Sequence, residues 1–368
     1  MRTGFFHDER CLWHFGGNYA SVVRVGGLVQ PMVAGGLPEN PETKRRLRNL
    51  IDVTGLAAEL DIRSAPAATA EDLRRIHPAE YLAGFKAMSD AGGGELGLRT
   101  PFGPGAYEIA ALSAGLVKAA VHAVLEGDCR NAYALSRPPG HHCLPDYPMG
   151  FCLIANIPVA LEAARAARPG LRVAVLDWDV HHGNGTEHIY YERADTLTIS
   201  LHQQGNFPYD KGEAEDAGAG AGAGFNVNVP LAPGAGDDAY IYAFDRIVTP
   251  KLRAFRPDLI VVACGYDASG VDPLSRMLAG AFTFGAMTER VMALADELCG
   301  GRLVMAHEGG YSEVHVPFCG HEVLRLMAGS AIVAEDPLEP RFRAQQPRGA
   351  ALDFHRAWLD GIAASHGL

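Results

Sequence analysis

Cysteine is sparse and scattered in this 368-residue chain. There are seven (Cys11, Cys129, Cys143, Cys152, Cys264, Cys299, Cys319), an odd number with no CxxC pair. That argues against a disulfide framework and fits reduced thiols in a cytoplasmic protein. Long basic runs are missing too. The formal net charge is −11, so no nucleic-acid binding through a basic surface is expected. An acidic field of that size mildly favours cationic substrates. No apolar stretch is read as approaching the roughly 20 residues of a membrane span. The first residues, Met1 to Asp8, lack the apolar core of a signal peptide, so no membrane association is expected. The Gly-Ala alternation within 213–224 is followed by no Lys-Ser/Thr and opens no helix. It therefore reads as a mobile or closely packed loop rather than a phosphate cradle. No linker or internal repeat divides the chain, which favours one domain over 1–368.

What the chain does contain is organised around Arg172–Thr186. Arg172 to Leu176 is a short, β-branched, apolar run, the pattern of a strand buried on both faces of a parallel sheet. It runs straight into Asp177, Asp179, His181 and His182. Such groups at the end of a buried strand are costly unless something pairs with them, and a divalent cation is the simplest partner. Residues two apart in an extended chain face the same side, so Asp177, Asp179 and His181 converge while Trp178 and Val180 face away. Mixed carboxylate and imidazole donors suit Zn²⁺, Fe²⁺ or Mn²⁺ better than Ca²⁺ or Mg²⁺.

The rest of the chain alternates strand and helix. Strands are expected at Thr3–Phe6, Asn131–Ser136, Thr196–Leu201, Phe225–Val229, Leu259–Cys264 and Leu303–Ala306. Helices are expected at Thr43–Leu60, from Thr69 to Ile76, Pro78–Met88, Tyr107–Glu126, Pro158–Ala167, Asp237–Phe255 (capped by Asp237 or Asp238) and Thr283–Leu298, with helix again towards the C-terminus. Leu12–Pro38 and Asp90–Gly105 read as loops, the first lying over a site, at a subunit contact or plainly on the surface. The pattern is α/β, a single-domain open, mostly parallel sheet flanked by helices. Chemistry-bearing residues stand at the C-terminal ends of four strands: His141 and His142, the Asp177–His181 cluster, Asp267, and Tyr311. Open α/β sheets bind their ligands there.

Asp267 ends a buried strand and is the natural third ligand beside Asp179 and His181, leaving room for water and substrate. A metal there lowers the pKa of its water and polarises a carbonyl. Of the adjacent His141 and His142, at least one accepts the proton of the attacking water and returns it to a leaving amine. Asp177 can orient His141, and Asn184 can orient His142. Tyr311 offers a phenol hydrogen to an oxyanion, and Gly309-Gly310 permit close approach. The assembled reading is metal-assisted hydrolysis of an amide.

The motifs Arg137-Pro-Pro-Gly-His-His142, Met149-Gly-Phe-Cys152, Asp177-Trp-Asp-Val-His-His-Gly-Asn-Gly-Thr186, Ser200-Leu-His202, Gly265-Tyr-Asp267, Asp272-Pro-Leu274 and Glu308-Gly-Gly-Tyr311 occur in that order. With them the chain resembles the arginase–deacetylase superfamily, and within it the bacterial class II histone deacetylase-like amidohydrolases. The resemblance implies the arginase/deacetylase fold and a zinc enzyme that releases acetate, or a related acyl group, from acyl-lysine or a similar acylated amine. It implies one Zn²⁺ on Asp179, His181 and Asp267. His142 would be the general base and acid, His141 its electrostatic partner, and Tyr311 the transition-state donor. It also implies a tunnel formed by Gly150, Phe151, Phe207, Leu274 and Gly309. A structural K⁺ is implied at Asp177, Asp179, His181, Ser200 and Leu201. Hydroxamate-type inhibitors and a homo-oligomer, a tetramer or a dimer, are implied as well.

Some positions depart from other branches of that family. Asn184 stands where class I members carry Asp. Class I members also carry a rim acid that grips the substrate backbone, whereas this chain has Leu98-Arg99-Thr100, with Asp90 or Glu95 as nearby substitutes. Polyamine-selective members place an acid where this chain has Leu274. The alternative of acetylpolyamine hydrolysis is thus permitted by the negative charge and weakened at Leu274. A two-Mn²⁺ ureohydrolase would need more carboxylates at the strand ends. A non-catalytic binder would not need the His pair, the ligand set and Tyr311 together. Cys143 and Cys152 lie near the site in sequence, where packing is a simpler role for them than redox regulation.

Overall fold

Eight short runs, most of them rich in β-branched and small residues, form a parallel sheet in the computed structural model, which describes residues 1–17, 19–24, 29 and 36–368. The strands are β1 Gly4–Phe6, β2 Asp61–Arg63, β3 Ala132–Ala134, β4 Val173–Asp177, β5 Thr196–Gln203, β6 Asn226–Leu231, β7 Leu259–Cys264 and β8 Leu303–His307. Their order is β6-β5-β4-β7-β8-β3-β1-β2, and every neighbouring pair is parallel. Strands β4 to β8 are buried along their whole length, so both faces must be covered. The two-residue period assigns alternate side chains to two cores. Ala174, Leu176, Ile260, Val262 and Met305 pack on one face, with the helices Glu42–Thr54, Ala281–Cys299 and Val316–Ala328. Val173, Val175, Val261, Ala263 and Val304 pack on the other, with Ala106–Glu126 and Asn156–Ala167.

The chain steps from β4 outward to β5 and β6, returns to β7 beside β4, and then steps the opposite way to β8. The sheet therefore reverses direction between β4 and β7. A crevice opens beyond the C-terminal ends of these two strands, the place where doubly wound sheets bind ligands.

Several expectations need correction. The helix begun at Glu42 stops at Thr54, because Gly55 takes a left-handed φ of 87°, and a 3-10 turn follows over Leu56–Glu59. The edge strand β2 was not expected, and neither was the helix Asn184–Tyr190. The segment Asp237–Phe255 is helical throughout, with a π turn over Phe244–Val248. Its N-cap is Gly236 rather than Asp237 or Asp238, and Asp237 instead accepts a hydrogen bond from Thr283. Ala106–Glu126 is long and apolar enough to span a membrane, contrary to the sequence reading. It lies within the core, with Leu116, Val117, Ala120 and Val121 buried against the sheet. The 213–224 loop is the closely packed alternative: a Cβ at Gly218 or Gly222 would strike backbone. Asp90–Gly105 carries a two-residue hairpin, Gly94–Glu95 with Pro101–Phe102. In Leu12–Pro38 a second hairpin joins Tyr19–Ala20 to Val23–Arg24. Residues 18, 25–28 and 30–35 of that loop lie outside the described residues.

Candidate active site

Adjacent strands deliver the candidate ligands to one locus. Asp177 at the end of β4 pairs in register with Ala263 of β7. Two and four residues beyond Asp177 come Asp179 and His181, and three beyond the end of β7 comes Asp267. One ligand atom from each of Asp179, His181 and Asp267 lies within 4.8 Å of the others, and all three residues are buried. Nδ1 of His181 is 3.1 Å from Oδ1 of Asp179 and 3.1 Å from Oδ2 of Asp267. Backbone amides hold the carboxylates from behind: Gly309 N–H donates to Asp179 Oδ2 at 2.8 Å and Val180 N–H to Asp267 Oδ1 at 2.7 Å. A Cβ on Gly309 would collide with both carboxylates, so the approach requires glycine. Burial raises the Asp267 carboxyl to about 6, and Asp179 adds to the effect. Two buried carboxylates and an imidazole converge on one point, which concentrates negative charge and lone-pair donors there. A divalent cation that accepts mixed N and O donors fits this set, and three protein ligands leave positions open for water and substrate.

The neighbouring histidines have opposite surroundings, although their ring centroids are only 3.9 Å apart. His141 Nδ1 bonds Asp177 Oδ2 at 2.9 Å. Burial would lower its pKa, but Asp179 and Asp177 outweigh burial and push it up to about 10. His142 Nδ1 bonds Asn184 Oδ1 at 2.8 Å. Burial, reinforced by His141 and His181, holds its pKa well below the usual histidine value. His142 is therefore neutral, with Nδ1–H donating to Asn184 and Nε2 carrying the lone pair, while His141 is a cation. Tyr311 is 8 % exposed, its ring 6.3 Å from that of His181. Burial, then Asp267, raises its hydroxyl pKa well above the normal range, so it keeps its proton.

His142, His181 and Tyr311 line a cavity of about 340 Å³. Its walls include Gly150, Phe151, Phe207 and Leu274, as the sequence reading expects, together with Arg99, Tyr209 and Arg276. The T-shaped contact of Phe207 with His142, centroids 5.0 Å apart, forms one side. Gly150 and Phe151 adopt φ values of 52° and 68°, and a Cβ on Gly150 would strike the His142 ring. Gly309 does not line the cavity. It lies against the two carboxylates, which corrects the expectation that it forms the tunnel wall. Glu95 accepts from Tyr19 and Arg24, Asp90 pairs with Lys86, and neither lines the cavity.

Asp177 and Ser200, two of the expected K⁺ residues, are register partners on β4 and β5, with Leu201 next along the strand. Asp177 Oδ1 accepts the Asp179 amide at 3.0 Å, and Ser200 Oγ bonds His202 Nδ1 at 2.9 Å. Cys143 and Cys152 are buried together, and burial raises both thiols, so they are neutral packing groups.

Several supporting residues were not found by sequence reasoning. Glu308 Oε2 accepts the amides of Gly140 and His141 at 2.6 and 3.2 Å and so fixes the His pair. Asp272 Oδ2 accepts the Tyr311 amide at 2.8 Å. Arg137 holds Glu39 bidentately at 2.8 and 3.0 Å, and Lys44 Nζ lies 3.6 Å from Glu39 and 5.9 Å from the Tyr311 ring centroid. Glu308, Asp272 and Arg137 stood inside quoted motifs and could have been found there. Nothing in the sequence marks Glu39 or Lys44.

Comparison with known proteins identifies a family. The profile of the histone deacetylase domain matches residues 37–327. The chain belongs to the histone deacetylase family. It is 59% identical over 367 residues to a histone deacetylase-like amidohydrolase of Pseudomonas aeruginosa, covering 100% of this chain and 97% of that one. It is 36% identical over 299 residues to a probable deacetylase of Archaeoglobus fulgidus, covering 79% and 82%. The crystal structure of the HDA15 HD domain superposes with a TM-score of 0.80 at 30% identity, covering 100% of this chain and 97% of that one. The fold is thus the arginase/deacetylase fold, and membership of this family supports a hydrolase of the deacetylase type.

Proposed function

We propose that the chain is a zinc-dependent amidohydrolase that removes acetyl or related acyl groups from the ε-amine of acyl-lysine or a similar acylated amine. The observation that carries this reading is the convergence of Asp179, His181 and Asp267 within 4.8 Å, with His181 lining the cavity, beside a histidine pair of which His141 is cationic and His142 neutral. Asp179, His181 and Asp267 would hold the zinc. When bound, zinc supplies a Lewis acid that polarises the acyl carbonyl and makes water more acidic. His142 Nε2 takes a proton from the attacking water and delivers it to the departing amine, while Asn184 keeps the required tautomer. His141 stays protonated against Asp177 and contributes positive charge at the reacting centre. The Tyr311 hydroxyl donates to the oxyanion as it forms. The cavity walls admit a thin acylated chain and leave the bulk of the substrate outside. We further propose a K⁺ at Asp177, Asp179, His181, Ser200 and Leu201, inhibition by hydroxamates, a cytoplasmic location and a homo-oligomer.

The test is hydrolysis of fluorogenic acetyl-lysine and trifluoroacetyl-lysine amides and of N-acetylputrescine, with zinc measured on the same sample. Turnover of the lysine compounds with one zinc per chain is expected. Tyr311→Phe should lower kcat by roughly 100- to 1000-fold, the usual effect of removing one oxyanion donor, and His142→Ala by a similar factor. Preference for N-acetylputrescine would move the function to polyamines, and zinc binding without turnover on any of them would count against the amidohydrolase reading.

A further inference from the structure

The mouth of the cavity has an unusual charge for this chain. Its lining includes two arginines, Arg99 and Arg276, and neither Asp nor Glu. Among the described residues neither arginine takes part in an ion pair, although the chain holds 43 acidic residues against 32 basic ones. The residues outside the described set include no Asp or Glu that could pair with them. The nearest acids in sequence are engaged elsewhere: Glu95 with Arg24 and Tyr19, Asp90 with Lys86, and Asp272 with the amides of Leu274 and Tyr311.

Both side chains are held at the opening. The Arg99 guanidinium lies 5.2 Å from the Phe207 ring centroid and 5.7 Å from that of Tyr209, and donates to the Tyr209 hydroxyl at 3.0 Å. That leaves most of its five N–H donors unspent. Arg276 donates through Nη1 to Ser275 O at 2.5 Å. Its backbone is fixed at both ends, N–H to Gln203 Oε1 at 2.7 Å and C=O from Gly234 N–H at 2.8 Å.

We propose that this mouth selects acylated amines that carry a carboxylate on the part of the molecule remaining outside the cavity, and that Arg99 and Arg276 recognise it. The inference rests on the amidohydrolase reading above and adds the substrate class to it. Guanidinium pairs with carboxylate through two parallel charge-assisted hydrogen bonds, a geometry that lysine or a neutral rim cannot reproduce. The net charge of −11 does not oppose this. Charges farther off than the Debye length, about 10 Å at 0.1 M salt, are screened, whereas the two arginines act at contact distance. The same pair repels the free ammonium of an acetylated polyamine. A free Nε-acyl-amino acid and an acidic peptide offer the same chemistry, and the test separates them.

The experiment compares kcat/KM for Nα-capped Nε-trifluoroacetyl-lysine as the free acid and as its methylamide, two compounds that differ only in the charge outside the cavity. A peptide with an internal trifluoroacetyl-lysine flanked by glutamates is the third substrate. One charge-assisted contact corresponds to roughly tenfold. The acid is therefore expected to exceed the methylamide by about tenfold or more, with the advantage reduced in 1 M NaCl. In Arg99→Gln/Arg276→Gln the ratio of acid to methylamide should fall towards one, and in Arg276→Lys it should be partly kept. The ratio is unaffected by a general loss of activity. Equal kcat/KM for the two compounds in the wild type, or an unchanged ratio in the double variant, overturns the proposal. If neither compound turns over, the amidohydrolase reading fails first. Calorimetry with the same two compounds as ligands then decides the charge preference: tighter binding of the acid, lost in the double variant, upholds it, and equal binding overturns it. An advantage for the acidic peptide over the free acid assigns the carboxylate to a polypeptide.

Discussion

The floor and the mouth of the cavity are built in different ways. The floor is made of residues just past the ends of β3, β4, β7 and β8, and its groups are held by backbone amides: Asp179 by Gly309, Asp267 by Val180, Tyr311 by Asp272, His141 by Glu308. The mouth is made of loops around Arg99, Phe207–Tyr209 and Leu274–Arg276, and its polar side chains reach solvent. Strands paired on both sides fix positions to fractions of an ångström, which acid–base and metal chemistry needs. Loops can change residues without disturbing that frame, so they are where substrate preference is set. The contrast also appears in charge, since the floor concentrates carboxylates and the mouth carries arginines.

The sharpest way to break the floor is to remove a ligand. Asp267→Ala should abolish zinc retention and lower activity by several kcal/mol of transition-state stabilisation, roughly a thousandfold or more. Metal analysis on the same sample separates this outcome from misfolding, because circular dichroism should stay that of the parent chain. The equivalent change at the mouth, the Arg99 and Arg276 substitutions, should leave zinc bound. If Asp267→Ala kept both its zinc and its turnover, the assignment of the floor would fall.

A smaller effect is expected one step back from the reacting atoms. Asn184 does not itself line the cavity and is not one of the three candidate ligands, but its Oδ1 accepts from His142 Nδ1 at 2.8 Å. Its Nδ2 donates to Met149 Sδ at 3.4 Å, which fixes the amide orientation. Asn184→Leu frees the other tautomer of His142. It should lower kcat by roughly 10- to 100-fold, as removal of such supporting groups does, with KM little changed. A change confined to KM would show that Asn184 serves the walls rather than the base.

The same division explains what could be read from the sequence. The floor was legible because β4, β7 and β8 are continuous apolar runs that end abruptly in ionisable residues. A buried strand that runs into Asp, His or Tyr points to a site, because such groups are costly there without a partner. The two-residue spacing of Asp177, Asp179 and His181 already assigned them to one side. The mouth was not legible in that way. Arg99 sits in a loop at φ 58°, and nothing local states which way its side chain turns. Glu39, Lys44 and Arg137 meet only after folding, from positions as much as 98 residues apart. The edge strand β2 escaped because three residues, Asp-Ile-Arg, carry too little periodicity to distinguish strand from loop. The helix from Glu42 was overextended because apolar residues continue past Gly55, and the left-handed glycine decided the boundary instead.

The smallest effect at neutral pH is expected where the wall is anchored to the body of the fold. His77 is buried, with Nδ1–H donating to Pro145 O at 2.7 Å and Nε2 accepting from Ala155 N–H at 3.1 Å. It thereby ties down both ends of the segment that carries Gly150 and Phe151, with the Tyr81 ring tilted beside it, centroids 5.4 Å apart. The bond from Ala155 N–H needs the neutral ring, because Nε2 accepts it, whereas the bond to Pro145 O survives protonation; burial lowers the ring's pKa from 6.5 to about 4. Above pH 6.5 the ring is neutral in the folded and unfolded chains alike, so its contribution is fully present. As pH falls from 6.5 towards 4 the unfolded chain takes up a proton that the folded chain refuses, and stability declines by at most about 3 kcal/mol. His77→Gln keeps a donor and an acceptor without a titrating group. The variant should therefore show a flatter fall of Tm between pH 6.5 and 4 than the parent chain. Parallel Tm curves over that interval would mean that the wall is not the acid-sensitive part of the molecule, and would move acid sensitivity to the buried carboxylates of the floor.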